Sequence, residues 1–276
     1  LAKLETTIHK WSPERVTYVR MEASTNLIGG QPFSMQNLKE VRTLAAQHGI
    51  PLVFDGSLIS ENAYFIQQRE PEFADWSVRE IIQEMMRSVD IFYMSGRKSA
   101  AVRGGLIATN SKEAFDKLLV WLPVYEGFAT YGGMSTKEVE AMAVGLREMT
   151  AQSVASSSAD FIAYFVERLL ELGVPVVTPA GGLACHLDAR RFIPQVPQSE
   201  YPAGALAAAV FLVSGVRGME RGSVSMDRDA QGNDVPADME LVRLALPRRT
   251  FTLSHIEYTA DRLKWLFAHR DLIGGL

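Results

Sequence analysis

The chain has 276 residues, 47% of them hydrophobic, with charges of both signs mixed along it to a formal net charge of −4. That composition is globular, and without a long basic run it carries no electrostatic footprint for nucleic acid or for an anionic membrane surface. No stretch approaches the ~20 continuous apolar residues of a bilayer span, and the opening LAKLETTIHKW lacks the charged and apolar regions of a signal peptide, so a cytoplasmic location is expected. Cys185 is the only cysteine. It allows no internal disulfide and no cysteine cluster for zinc, and in the apolar run GGLACHLDA it reads as a packed core thiol.

In chain order, residues 16–22 have the β-branched and aromatic content of a strand, and NLKEVRTLAAQHG has the apolar period of a helix closed by Gly49. PLVFD, ending at Asp55, is a short apolar run typical of strands covered on both faces. SVREIIQEMMRSV is helical, IFYMSG and GGLIATN are strands, and SKEAFDKLLVWL begins a helix at a serine cap. The alternation predicts an α/β fold, a mostly parallel sheet with helices on both faces, with ligands beyond the carboxyl ends of the strands. From Lys137 onward long helix-forming runs take over, so a domain change is expected near residue 150: a large domain over 1–150 and a smaller C-terminal α/β domain over 151–276. In the latter, VPVVTPAGGLACHLDA and ELVRLALP read as strands, GALAAAVFLVSG and HIEYTADRLKWLFAHR as helices, and the acidic stretch from Asp227 to Glu240 as a solvent loop. The five histidines are scattered along the chain with no two at metal spacing, and His255 reads as a surface or packing residue, with a place facing the substrate as the alternative.

The pair that carries chemistry is Asp55, at the end of one buried strand, and Lys98, just after another. A lysine amine can hold pyridoxal 5'-phosphate (PLP) covalently, and a carboxylate opposite the pyridine nitrogen keeps that nitrogen protonated so that the ring can absorb electrons. Spacing alone leaves simpler readings open, since a strand-end aspartate also caps helices and a lysine after a strand is commonly solvated.

The surrounding segments SENAYFIQQREPEFADWS, MSGRKSA, VYEGFATYGGMSTKEVEAMAVGLRE, NLIGGQPFSM, HLDARRF, GVRGMERG and VRLALPRRTFT closely resemble, in one order along nearly the whole chain, the tyrosine phenol-lyase and tryptophanase family of β-eliminating lyases. The resemblance implies a PLP-dependent enzyme of the aspartate-aminotransferase fold (type I) that cleaves the Cβ-to-ring bond of an aromatic amino acid, giving pyruvate, ammonia and phenol or indole. It places Lys98 as the cofactor lysine, Asp55 as the partner of the ring nitrogen, Asn26 against the ring oxygen and Ser95 at the phosphate. Arg243 matches the arginine that takes the substrate carboxylate, a role suited to a planar fork of donors. Arg221 and Phe128 match positions around the substrate ring and favour phenol as leaving group, whereas PQSEYPAGAL and LSHIEY look nearer tryptophanase. A homo-oligomer, dimer or tetramer, is implied by the resemblance only.

Three departures stand out. Family members are about half as long again, so the chain reads as truncated at both ends, without the phosphate-cradling loop, the stacking aromatic and the tyrosine acid. Leu58 stands where the family has an arginine three residues after the aspartate. For potassium, the family's carbonyl ligand falls near Arg103 while its carboxylate ligand lies upstream, so a potassium site is possible rather than expected and no metal-ligating residue is assigned. These departures keep two other readings open: a different PLP reaction on the same scaffold, such as β-elimination of an S-alkylcysteine or transamination, and a catalytically impaired homologue serving as an assembly module.

Overall fold

The computed structural model describes residues 1–247 and 250–276; Arg248 and Arg249, within the VRLALPRRTFT motif, lie outside the described residues. The chain divides into two compact units, Leu1–Ser24 with Pro32–Ser156, and Thr25–Gln31 with Ser157–Leu276.

The first unit contains, in chain order, α1 (Ala2–Trp11), β1 (Val19–Glu22), α2 (Met35–Gln47), β2 (Leu52–Asp55), α3 (Ile59–Arg69), α4 (Val78–Arg87), β3 (Ile91–Ser95), β4 (Gly105–Thr109), α5 (Lys112–Tyr125) and α6 (Thr136–Glu148). Its sheet runs β1-β2-β3-β4, with the first two pairings parallel and the third antiparallel. The expectation of a mostly parallel sheet holds, with β1 to β3 parallel and β4 antiparallel. A parallel return needs a crossover of a dozen residues or more, and residues 96–104 are too few and carry no helix.

Local sequence explains most of these elements. Helix α4 starts at a reciprocal capping box between Ser77 and Glu80 and buries Val78, Ile81, Ile82 and Met85, one apolar stripe. Phe54 on β2 sits between Phe33 and Phe92, at 5.7 and 5.9 Å centroid separation. Patterning does not announce α3, because it buries Ser60, Glu61 and Asn62 as well as Ile59, Phe65 and Ile66, and inward polar residues break the apolar period.

Buried Asn62 holds the sheet end together. Its Oδ1 accepts from the backbone N–H of Ser24 at 3.3 Å and of Phe33 at 3.2 Å, while its Nδ2 donates to Phe33 O at 3.0 Å. Replacing Asn62 by alanine leaves two backbone donors and one acceptor without these bonds. At roughly 1 kcal/mol each, the expected loss is about 3 kcal/mol of unfolding free energy, measurable by urea titration.

The second unit contains most of α7 (Gln152–Glu171), from Ser157 on, and β5 (Ala184–Asp188), α8 (Ala189–Phe192), α9 (Pro202–Ser214), β6 (Met219–Arg221), β7 (Leu241–Ala245) and α10 (Leu253–Ala268). Its three strands are ordered β5-β7-β6, all antiparallel. One face of the sheet joins the core formed by Phe165, Leu187, Phe192, Leu206, Val242 and Leu263. Cys185 lies in that core with its thiol pushed up by burial, as a packed rather than reactive cysteine. His255 caps α10, its Nδ1 3.1 Å from Thr252 N. The solvent-loop expectation for Asp227–Glu240 fails at its last residue. Glu240 is buried and accepts from Ser223 N and Gln198 Nε2, both at 3.0 Å, so its carboxylate anchors the loop.

Candidate active site

The first group of chemistry-bearing residues gathers where β2 and β3 end. Asp55 is the last residue of β2 and Ser95 the last of β3. The parallel register sets Asp55 beside Tyr93, and beside Glu22 on the other flank, with neighbouring strands about 4.8 Å apart. Asp55 Oδ1 accepts from Ser57 N at 3.0 Å, which turns the chain sharply after the strand.

Ser57 then ties this turn to the next. Its Oγ accepts from Ser95 N at 3.0 Å, and its carbonyl accepts from Ser99 N at 3.3 Å and lies 3.0 Å from Ser99 Oγ. That hydroxyl is also 2.9 Å from Oε2 of the fully buried Glu61. Lys98, half-buried, occupies the residue between these ties. Glycines permit the close approach of α6: a Cβ on Gly145 would stand 2.2 Å from Ala100 O, and one on Gly96 2.5 Å from Met142 Cε. The Lys98 turn is thus clamped by side-chain hydrogen bonds on one side and by a helix on the other.

Two residues here had no sequence signal. Tyr93 stands next to Asp55, and its hydroxyl is 3.5 Å from Arg20 Nη1; burial first, and then the Asp55 carboxylate, pushes the phenol up. Both emerge only once the strand register is known. Leu58, the departure from the family arginine, is 1% exposed and belongs to the core at the start of α3.

A second group lies within the other unit. Asn26 is the second residue of the short segment Thr25–Gln31, which closes on itself through Thr25 N to Gln31 O at 3.0 Å and Gly30 N to Thr25 O at 2.9 Å. Gly29 and Gly30 are left-handed there, and a Cβ on Gly30 would meet Gly182 O at 2.8 Å. Asn26 Oδ1 accepts from Arg243 Nη1 at 3.1 Å. Arg243, in the middle of β7, is paired in register with His186 on β5 and Met219 on β6, and Arg221 with Leu241. Side chains alternate along strands, so His186, Arg221 and Arg243 share one face. His186 was read from sequence without a role.

The structure therefore brings Asp55, Ser95 and Lys98 together in one unit and Asn26, Arg243 and Arg221 in the other. Phe128 follows α5, is 67% exposed, and packs its ring edge-on against Tyr131 at 6.0 Å. Arg103 is exposed, and among the described residues no group of three or more His, Cys, Asp or Glu side chains could hold a metal ion. None of the helices among the described residues is long and apolar enough to cross a membrane.

Solved structures with a similar backbone include serine palmitoyltransferases and a threonine aldolase. A Sphingomonas wittichii serine palmitoyltransferase matches over 98% of this chain and 59% of its own, with a TM-score of 0.62 at 16% identity. One from S. paucimobilis with a bound PLP–myriocin aldimine matches over 99% and 60%, with a TM-score of 0.65 at 14% identity. A putative L-allo-threonine aldolase from Listeria monocytogenes matches over 90% and 61%, with a TM-score of 0.56 at 18% identity. At such identities the likeness defines the fold, which is that of the PLP-dependent type I enzymes.

The sequence narrows this further. The chain belongs to the beta-eliminating lyase family, whose model matches residues 1–262. It is 40% identical to a tyrosine phenol-lyase of Pasteurella multocida over 99% of its length and 60% of that protein's, and 42% identical to one of Symbiobacterium thermophilum over 100% and 61%. A Clostridium tetani tyrosine phenol-lyase is 42% identical over 98% and 59%. The chain thus spans about 60% of the length of the curated relatives it matches.

Proposed function

We propose that the chain forms the PLP-binding core of a carbon–carbon lyase that releases phenol from tyrosine, or indole from tryptophan, together with pyruvate and ammonia. The observation that carries the reading is that Asp55 ends β2 and Lys98 follows the end of the adjacent parallel strand β3, in turns cross-linked by Ser57. The donor set fits PLP: a carboxylate for a pyridinium nitrogen, and an amine within three residues of Ser95 for the aldehyde.

When bound, the cofactor supplies an electron sink for the charge left at the substrate Cα. Asp55 keeps a proton on the ring nitrogen, which deepens that sink. Lys98 Nζ would hold the cofactor through its aldehyde, and as a free amine it would serve as the base for the Cα proton. By resemblance to the family, Arg243 would take the substrate carboxylate as a two-pronged donor, Asn26 accepts from that guanidinium at 3.1 Å and so limits its rotation, and Arg221 would offer a cation to the oxygen of a phenol ring. The preference for phenol over indole rests on Arg221 and Phe128 and on the relatives named above.

The assignment is tested by incubating the purified protein with PLP, reducing with borohydride and mapping the modified peptide, followed by pyruvate assays with tyrosine, tryptophan and an S-alkylcysteine. Label on Lys98 with pyruvate from tyrosine supports the phenol-lyase reading. Pyruvate from the S-alkylcysteine alone moves the function to simple β-elimination, and label scattered over surface lysines removes the cofactor assignment.

A further inference from the structure

Arg221 is the last residue of β6, and what holds it in place lies in the residues around it. Its Nε is buried with no hydrogen-bond partner among the described residues, so that atom contributes no bond to fix the guanidinium. Up to Arg221 the backbone is set by the β6–β7 ladder, in which Arg221 pairs with Leu241. Beyond it the ladder stops, and Gly222 leads into the short turn Ser223–Ser225.

Glu240 takes over where the ladder ends. It immediately precedes β7 and is 1% exposed. Its Oε1 accepts from Ser223 N and Gln198 Nε2, both at 3.0 Å, and from Ser223 Oγ. Its Oε2 accepts from Ala203 N at 3.4 Å, in the first turn of α9. The Ser223 hydroxyl gives its one proton to Glu240 and accepts from Ala237 N at 3.1 Å. Gly222 is required by this packing, since a Cβ there would stand 2.1 Å from Glu240 Oε2. A buried carboxylate is costly unless donors surround it, and here neutral donors reach it from the turn after β6, from residue 198 and from the start of α9. A buried network satisfied in this way fixes one arrangement of the segments that share it.

We propose that Glu240 is a positioning residue for substrate selection: its carboxylate seats Gly222 and Ser223, and through them holds the Arg221 guanidinium against the ring oxygen of a phenolic substrate. The proposal rests on the reading of Arg221 as the cation for that oxygen and deepens it, by naming what sets its aim. Arg221 pairs with Leu241, one residue after Glu240, so alternation sends the Glu240 side chain to the other face of the sheet. Glu240 therefore acts through the backbone and does not meet the ligand.

The probes are 3-(4-hydroxyphenyl)propionate and 3-phenylpropionate, which differ only in the ring oxygen and carry no amine to react with the cofactor. Titration calorimetry of the PLP-loaded protein gives the two dissociation constants, and their ratio reads the contact to that oxygen. The wild type is expected to bind the hydroxylated probe about tenfold more tightly, the worth of one hydrogen bond to a charged group. Glu240→Gln, which sets an amide donor where the carboxylate accepts, is expected to bring that ratio close to one while binding 3-phenylpropionate as the wild type does. Arg221→Ala should do the same, and the double variant no more than either alone, because both changes act on one contact. If Glu240→Gln fails to fold, Ser223→Ala, which removes only the hydroxyl from the network, gives the same readout with a smaller fall in the ratio. A wild-type ratio retained in folded Glu240→Gln or in Ser223→Ala, or a further fall when Glu240→Gln is added to Arg221→Ala, would overturn the proposal. A ratio near one in the wild type overturns it too, by removing the role of Arg221; PLP label retained on Lys98 in that protein leaves the lyase reading standing. Loss of the Lys98 label with the expected ratios intact removes the lyase reading and supports the assignment of Glu240.

Discussion

Replacing Lys98 by alanine is expected to abolish borohydride-stable PLP label at this peptide and to lower pyruvate release from tyrosine by about a thousandfold or more, the combined loss of a covalent anchor and a general base. The fold should be nearly untouched. Lys98 is half-buried, and the ties that hold its turn belong to its neighbours: Ser99 to Ser57 and Glu61, Val102 N to Gly96 O at 3.0 Å, and Ala100 against Gly145. Shortening the Lys98 side chain leaves these ties in place. The variant should therefore still unfold cooperatively in urea while losing its chemistry. Lys98→Arg separates the two roles of the charge, since a guanidinium stays protonated at working pH and can neither carry the aldehyde nor accept the Cα proton. Label or turnover retained in Lys98→Ala would show that another lysine holds the cofactor and that the turn after β3 is structural.

The elements that sequence reveals and those it hides differ for physical reasons. Helix α4 announces itself, because its cap and its apolar stripe agree, and so do β2 and β3, whose short apolar runs suit strands with two covered faces. Helix α3 conceals itself behind buried Ser60, Glu61 and Asn62, each of which has a tertiary partner: Met149 O for Ser60, Ser99 for Glu61, and Ser24 and Phe33 for Asn62. The antiparallel β4 could have been anticipated from the nine residues that precede it. Asp55 and Lys98 are legible as strand-end residues, but their neighbours Tyr93 and Arg20 depend on register, and register is a property of pairing rather than of either strand alone. Thr25–Gln31 grouping with the second unit has no compositional mark. It follows from contacts such as Gln31 Nε2 to Pro179 O at 2.8 Å and Gly182 N to Gly30 O at 2.9 Å. His186 was set aside because no second histidine lies at metal spacing, whereas its significance comes from the two arginines that strand pairing brings to the same face.

That environment also makes the protein acid-sensitive. In the unfolded chain the imidazole titrates near 6.5, and in the folded protein burial and the two guanidinium groups bring it down to about 4. Between these values the unfolded state binds the proton that the folded state refuses, so stability is full above pH 6.5 and falls as the pH drops toward 4. At about 1.4 kcal/mol per pH unit of displacement, the span of roughly 2.5 units corresponds to about 3 kcal/mol. Urea unfolding of the wild type and of His186→Phe at pH 7.5 and pH 4 isolates this contribution, because titrating carboxylates elsewhere act equally on both. The wild type is expected to lose about 3 kcal/mol more than the variant between the two pH values, with the extra loss setting in below pH 6.5. Equal losses would mean that the ring of His186 reaches solvent and titrates normally in the folded protein.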